Sequence, residues 1–209
     1  MPRAGACDVA YGVEEIGNPR SKFVDKYLEG LVGVEIGYAA HNDFGLNTEI
    51  RTCGQHDYPS PGVTHYIEDL YDHSLPFVPT KHYDFVFGSH ILEHLFNPIG
   101  ALREHARGAR RYVVHVLPHP DRMFDKGRPL TTLEELLARP SRPTPEMLRF
   151  EPYGGHWNVW TPATFPAVAA HVGLEVVEML NPDDKVANGF IVVMKEMHQH
   201  CYGLTGVNK

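Results

Sequence analysis

The chain is short of cysteine. Cys7, Cys53 and Cys201 stand far apart in 209 residues, form no CxxC pair of the kind that holds zinc, and read as reduced thiols. No apolar run approaches the roughly 20 residues that span a bilayer. The opening MPRAGACDVAYGVEE has no basic start followed by an apolar stretch, so no secretion signal is indicated and the cytoplasm is the default expectation. Positive charge is also in deficit: the formal net charge is −7, which argues against a phosphate-backbone binder and predicts neither a nucleic-acid nor a membrane partner. Neither GxGxxG nor HExxH occurs, which disfavours a nucleotide-linked oxidoreductase and removes the best-known histidine metal motif.

What is present is ordinary globular composition, 43% hydrophobic and 22% charged. That length supports one sizeable core, so residues 1–209 read as a single domain. The 14 histidines are the unusual feature. The basic cluster Arg103 to Arg111 reads as the solvated side and end of a helix.

Periodicity predicts a helix around Lys22–Leu28 and a buried strand at Leu31–Ile36. Weaker strands follow at Asn47–Gln55 and Thr64–Ile67, then a buried strand at His82–Gly88. Ser89–Arg107 reads as a short helical turn, a break, and a new helix capped by Asn97 with Pro98 in its first turn. A further buried strand spans Tyr112–Leu117. Residues 121–156 carry a short helix at Thr132–Ala138 and no strand, and read as an inserted lid or substrate segment. A helix over Trp160–Gly173, with Thr161 as cap and Pro162 in first position, precedes strands at Leu174–Leu180 and Phe190–Lys195. This alternation predicts an α/β fold, with a mostly parallel sheet and an antiparallel pair at its end.

In such sheets ligands bind at the carboxyl ends of the strands. Gly37 directly after the first strand permits a tight turn, and the Glu35 carboxylate is placed to fix a loop amide or a ligand amine. Asp57 lies at the approximate spacing of an acid that accepts hydrogen bonds from ribose hydroxyls, although a plain turn before Pro59 explains it equally well. Asp69 with Leu70 follows the third strand and suits an adenine amino group and ring face, or simply a turn.

The runs VEIGYAAHNDFGL, IEDLYDHSLPF, YDFVFGSHILEHLFNPIGALREHAR and YVVHVLPH resemble the class I S-adenosylmethionine-dependent methyltransferases of the compact bacterial small-molecule type. The resemblance implies a Rossmann-like doubly wound sheet of seven strands, the last antiparallel, and S-adenosylmethionine as cofactor. It matches Glu35 and Gly37 to the first cofactor motif, Asp69 and Leu70 to the adenine contact, Ser89 and His90 to the wall beside the sulfonium, and Asp57 to the ribose acid. The glycine-rich loop is reduced to the single Gly37.

The activity this implies is O- or N-methylation of a small-molecule acceptor, by an in-line displacement driven largely by alignment. Deprotonating the acceptor suits histidine, and His119 and His156 are the candidate bases. His90 and His94 stand one helical turn apart, with a pocket-lining or packing role favoured over metal ligation. Arginines 122, 128, 139, 142 and 149 allow an anionic acceptor, while solvated arginines are the commoner explanation. A homodimer is compatible with this reading. The rivals are a methyltransferase-fold binder that does not methylate and a histidine-metal enzyme on the same fold.

Overall fold

The computed structural model describes residues 20–39, 42–54, 62–67, 74–149 and 155–197. Helix α1 (Lys22–Leu28) starts where the Ser21 hydroxyl accepts from the Val24 amide, and it turns Val24 and Leu28 inward. The strands are β1 (Gly33–Ile36), β2 (Thr48–Gly54), β3 (His65–Ile67), β4 (Tyr83–Ser89), β5 (Ala109–Pro118), β6 (Leu174–Leu180) and β7 (Gly189–Glu196). Their spatial order is β3-β2-β1-β4-β5-β7-β6. β1 to β5 pair in parallel, and β7 runs antiparallel between β5 and β6. The fold is therefore α/β and Rossmann-like, with a seven-stranded sheet whose last strand is antiparallel.

Successive strand residues point to opposite faces, and the core divides accordingly. Phe85, Phe87, Val114 and Val116 join Val24, Leu28 and Phe44 on the α1 side. Val34, Ile36, Val86 and Val113 face α2 (Pro98–Gly108) and α5 (Phe165–His171), with Trp160 and Phe165 closing the layer. Both faces of the central strands are covered, which explains why they read as continuous apolar runs rather than alternating ones.

Asn97 caps α2 by accepting from the Gly100 amide at 3.0 Å, with Pro98 in the first turn. Thr132 likewise caps α3 (Leu133–Ala138). The expected helix at Trp160–Gly173 starts later than its sequence suggests. The Thr161 amide donates to Thr164 Oγ1 and the Thr164 amide returns to the Thr161 carbonyl, closing a separate turn around Pro162, and α5 begins only at Phe165. A further helix, α4 (Pro145–Arg149), lies in the segment between β5 and α5. The reduced-thiol expectation also fails for Cys53, which is disulfide-bonded. Among the described residues no helix is long and apolar enough to cross a membrane.

The basic stretch on α2 is not merely a solvated face. Arg107 donates to the carbonyls of Leu75 and Val78 and pairs with Glu104, tying the approach to β4 onto the helix.

Candidate functional site

The strand order reverses between β1 and β4, and their register pairs Ile36 with Gly88. Gly37 and Ser89 therefore leave the sheet side by side at the carboxyl edge, the position where doubly wound sheets open a crevice. Gly37 has φ +71, and a Cβ there would lie 1.9 Å from Ile91 Cδ1. Only glycine satisfies both the turn and the approach of Ile91. Glu35 is 3% exposed, and its Oε2 accepts no hydrogen bond. Arg51 Nε stands 3.7 Å away, with its guanidinium over the Tyr38 ring. Burial pushes the Glu35 carboxyl up to about 7, against the opposing pull of Arg51. Ser89 Oγ is likewise buried without a hydrogen-bond partner. Asp57, Asp69 and Leu70 lie outside the described residues.

A second group assembles directly beyond β4. His90 has φ +53, a left-handed conformation rare for a residue with a Cβ, and it turns the chain into a 3₁₀ turn at Leu92–His94. His90 and His94 thus do not share a helix face as their spacing suggested. They converge on Glu93 instead: His90 Nδ1 lies 3.3 Å and His94 Nε2 3.8 Å from Glu93 Oε1. Glu93 is fully buried, yet neither carboxylate oxygen accepts a well-formed hydrogen bond. Its burial opposes ionisation, but His90, His94 and His156 outweigh that and hold its carboxyl at about 2. Burial lowers His94 to about 4, so its imidazole is neutral.

His156 arrives from the far end of the 121–156 segment and sets its ring edge-on to His94, with centroids 4.6 Å apart. Its Nδ1 is 2.6 Å from Asp125 Oδ2. Asp125 is held below the usual carboxylate range, where the contacts of His156 and Arg128 overcome burial. An ionised carboxylate only accepts, so His156 Nδ1 is the donor in this bond, and in the neutral ring the lone pair lies on Nε2. Arg128 pairs with Asp125 and donates to the His156 carbonyl. One donor atom from each of Glu93, His94 and His156 lies within 4.8 Å of the others.

His119 is placed differently. It sits at the end of β5, where its Nδ1 accepts from the Asp121 amide at 3.3 Å, so its neutral form carries the proton on Nε2. Three of the arginines thought to suit an anionic acceptor are committed to the fold. Arg122 binds the Gly189 carbonyl and Asn181, Arg128 binds Asp125 and the His156 carbonyl, and Arg139 binds Asn158, Glu135 and the carbonyls of Phe96 and Trp157.

Sequence reasoning missed Glu93, Asp125 and Asn158. His156 meets Asp125 from 31 positions away and Asn158 meets Leu95 from 63, contacts that only the tertiary fold makes.

No family model and no curated protein matches the chain. Solved structures do. A SAM-dependent methyltransferase from Aquifex aeolicus superposes with a TM-score of 0.51 at 15% identity, covering 83% of this chain and 87% of that one. The CcbJ methyltransferase from Streptomyces caelestis gives 0.51 at 15% identity, covering 83% and 86%. An S-adenosylmethionine-dependent methyltransferase from Mesorhizobium loti gives 0.50 at 15%, covering 81% and 93%. At these identities the likeness is one of fold, and it agrees with the strand order.

Proposed function

From the class I methyltransferase fold of this chain, we propose that it transfers a methyl group from S-adenosylmethionine to a small-molecule acceptor. The observation that carries this reading is the pairing of Ile36 with Gly88 at the switch point. It sets Glu35, Gly37 and Ser89 together at the edge where that fold receives its cofactor. Two buried polar atoms there, Glu35 Oε2 and Ser89 Oγ, lack hydrogen-bond partners, and a donor-bearing ligand would satisfy them. The cofactor supplies an electrophilic methyl on sulfur. Glu35 and the Gly37 turn hold it, Ser89 and His90 border it, and Asp69, Leu70 and Asp57 are assigned its adenine and ribose ends.

Of the two candidate bases, His156 fits better. Asp125 fixes its tautomer with the Nε2 lone pair free to receive the acceptor proton, whereas His119 has Nδ1 occupied as an acceptor and would have to give up its cap. The 121–156 segment delivers His156 and Phe124, whose ring centroids lie 4.6 Å apart, and is proposed to select the acceptor.

The test is production of S-adenosylhomocysteine when the protein meets S-adenosylmethionine and a panel of hydroxyl- and amine-bearing acceptors. Acceptor-dependent product that falls at least a hundredfold in His156→Ala supports the reading. No product with any acceptor, from protein that binds the cofactor, favours a binder that does not methylate.

A further inference from the structure

We propose that Glu93, His94 and His156 bind one divalent transition-metal ion, with Asp125 orienting His156 and an acceptor hydroxyl oxygen taking an open coordination position. Two imidazoles and a carboxylate form a ligand set suited to zinc, iron(II), cobalt or manganese, and three protein ligands leave a position for a substrate.

Four observations point to a cation. Glu93 is 0% exposed and neither of its oxygens accepts a well-formed hydrogen bond; His90 Nδ1 at 3.3 Å and His94 Nε2 at 3.8 Å face its Oε1 only loosely, and an ion would satisfy the buried carboxylate more fully. The three donor atoms lie within 4.8 Å of one another. Donors at about 2.1 Å from a shared ion sit roughly 3.4 Å apart, which a rotamer adjustment of about an ångström supplies. His156 has the outer carboxylate, Asp125 at 2.6 Å, that fixes tautomer and ring orientation in metal-bound histidines. The carrier of Glu93 and His94 is rigid as well, because Asn158 Nδ2 donates to the carbonyls of Leu92 and Leu95.

The location gives the ion a task. Glu93 and His94 follow β4 by a few residues, beyond the strand end that carries Ser89, and the His94 side chain is 16% exposed. The acceptor's part in this inference rests on the methyl-transfer reading; the ion site does not. At the ion a hydroxyl releases its proton to solvent, and its oxygen pair forms the new bond to the methyl carbon. The carbon–sulfur bond breaks with its electrons remaining on sulfur as a neutral thioether. The ion thus takes over the lone pair that His156 would otherwise use as base, and it favours oxygen over amine acceptors.

The experiment uses tag-free full-length protein stripped with chelator, titrated with cobalt(II) followed by visible absorption and with zinc(II) by calorimetry. The same samples are titrated with S-adenosylhomocysteine. The expected result is one equivalent of metal with a cobalt d–d spectrum, lost in His94→Ala and weakened 10- to 100-fold in Asp125→Asn. His94→Gln and His156→Gln serve if the alanine variant does not fold. Failure to bind an equivalent overturns the inference. So does binding that these variants leave unchanged, which would come from surface histidines or from the terminal run MHQHC. Metal binding without S-adenosylhomocysteine binding leaves the ion site standing and sinks the methyl-transfer reading, and the converse pattern does the opposite.

Discussion

Asn158 Nδ2 donates to the carbonyl of Leu95 at 2.6 Å, which fastens the return of the inserted segment to the turn that carries Glu93 and His94. The same amide reaches the Leu92 carbonyl at 2.9 Å, while its Oδ1 accepts from Arg139 at 2.8 Å. Fully buried, Asn158 has its polar atoms in use. Asn158→Ala removes the side-chain donor to the Leu92 and Leu95 carbonyls and one of the acceptors of Arg139, and the expected cost is about 2–4 kcal/mol in urea unfolding. A loss below about 0.5 kcal/mol would mean that the segment is not held through this residue.

Glu35 makes stability depend on pH in an uncommon direction. Its folded value, about 7, lies above its unfolded value near 4.5, so the folded state binds the proton more tightly. The penalty is absent below the unfolded value, grows as pH rises, and is complete above the folded one. Glu35→Gln should therefore match the parent near pH 4 and melt higher at pH 8, by up to roughly 3 kcal/mol. Thermal denaturation of both proteins across that range checks the sign; a variant less stable at pH 8 contradicts it.

Asp183 acts in the opposite sense. It accepts from the backbone amides of Lys185, Val186, Ala187 and Gly189, and although burial opposes its ionisation, these bonds lower its pKa. The stabilisation it contributes is present above the unfolded value near 3.8 and is lost as pH falls through the lower folded value. Asp183→Ala should cost about 2–4 kcal/mol at pH 7 and progressively less in acid, as read from denaturant midpoints at each pH.

Gly37→Ala should damage both the turn and the site. The added carbon collides with Ile91 at a backbone conformation that disfavours any side chain, at an expected cost of about 1–3 kcal/mol. If the loop holds the cofactor, affinity for S-adenosylhomocysteine falls with it. Unchanged affinity would move the cofactor away from this turn.

Much of the fold was legible because its signals are local. The apolar runs of β4 and β5, the Asn97–Pro98 start of α2 and the Gly37 turn are each decided within a few residues. The Thr144–Pro145–Glu146 start of α4 carries a comparable signal, with Thr144 Oγ1 accepting from the Met147 amide, although the pattern of residues 121–156 predicts a helix at Thr132–Ala138 alone. The start of α5 was misplaced because Thr161 and Thr164 bond each other, a preference that competes with helix capping. The site was legible on one side only. Residues attached to strand ends follow from topology, whereas the Glu93–His94–His156 group depends on where a 36-residue excursion lands, which no local periodicity encodes. The arginines show the same limit, since composition offered Arg122, Arg128 and Arg139 as ligands for an acceptor while their carbonyl and carboxylate partners use them as struts.

The central claim is that the β1–β4 edge receives S-adenosylmethionine. Its most direct test is calorimetric titration of the parent protein and Glu35→Gln with S-adenosylhomocysteine at pH 8, where Glu35 is ionised. The account predicts saturable one-to-one binding by the parent and affinity about tenfold weaker in the variant, equivalent to about 1.4 kcal/mol. No binding by folded parent protein, or equal binding by both, would contradict it.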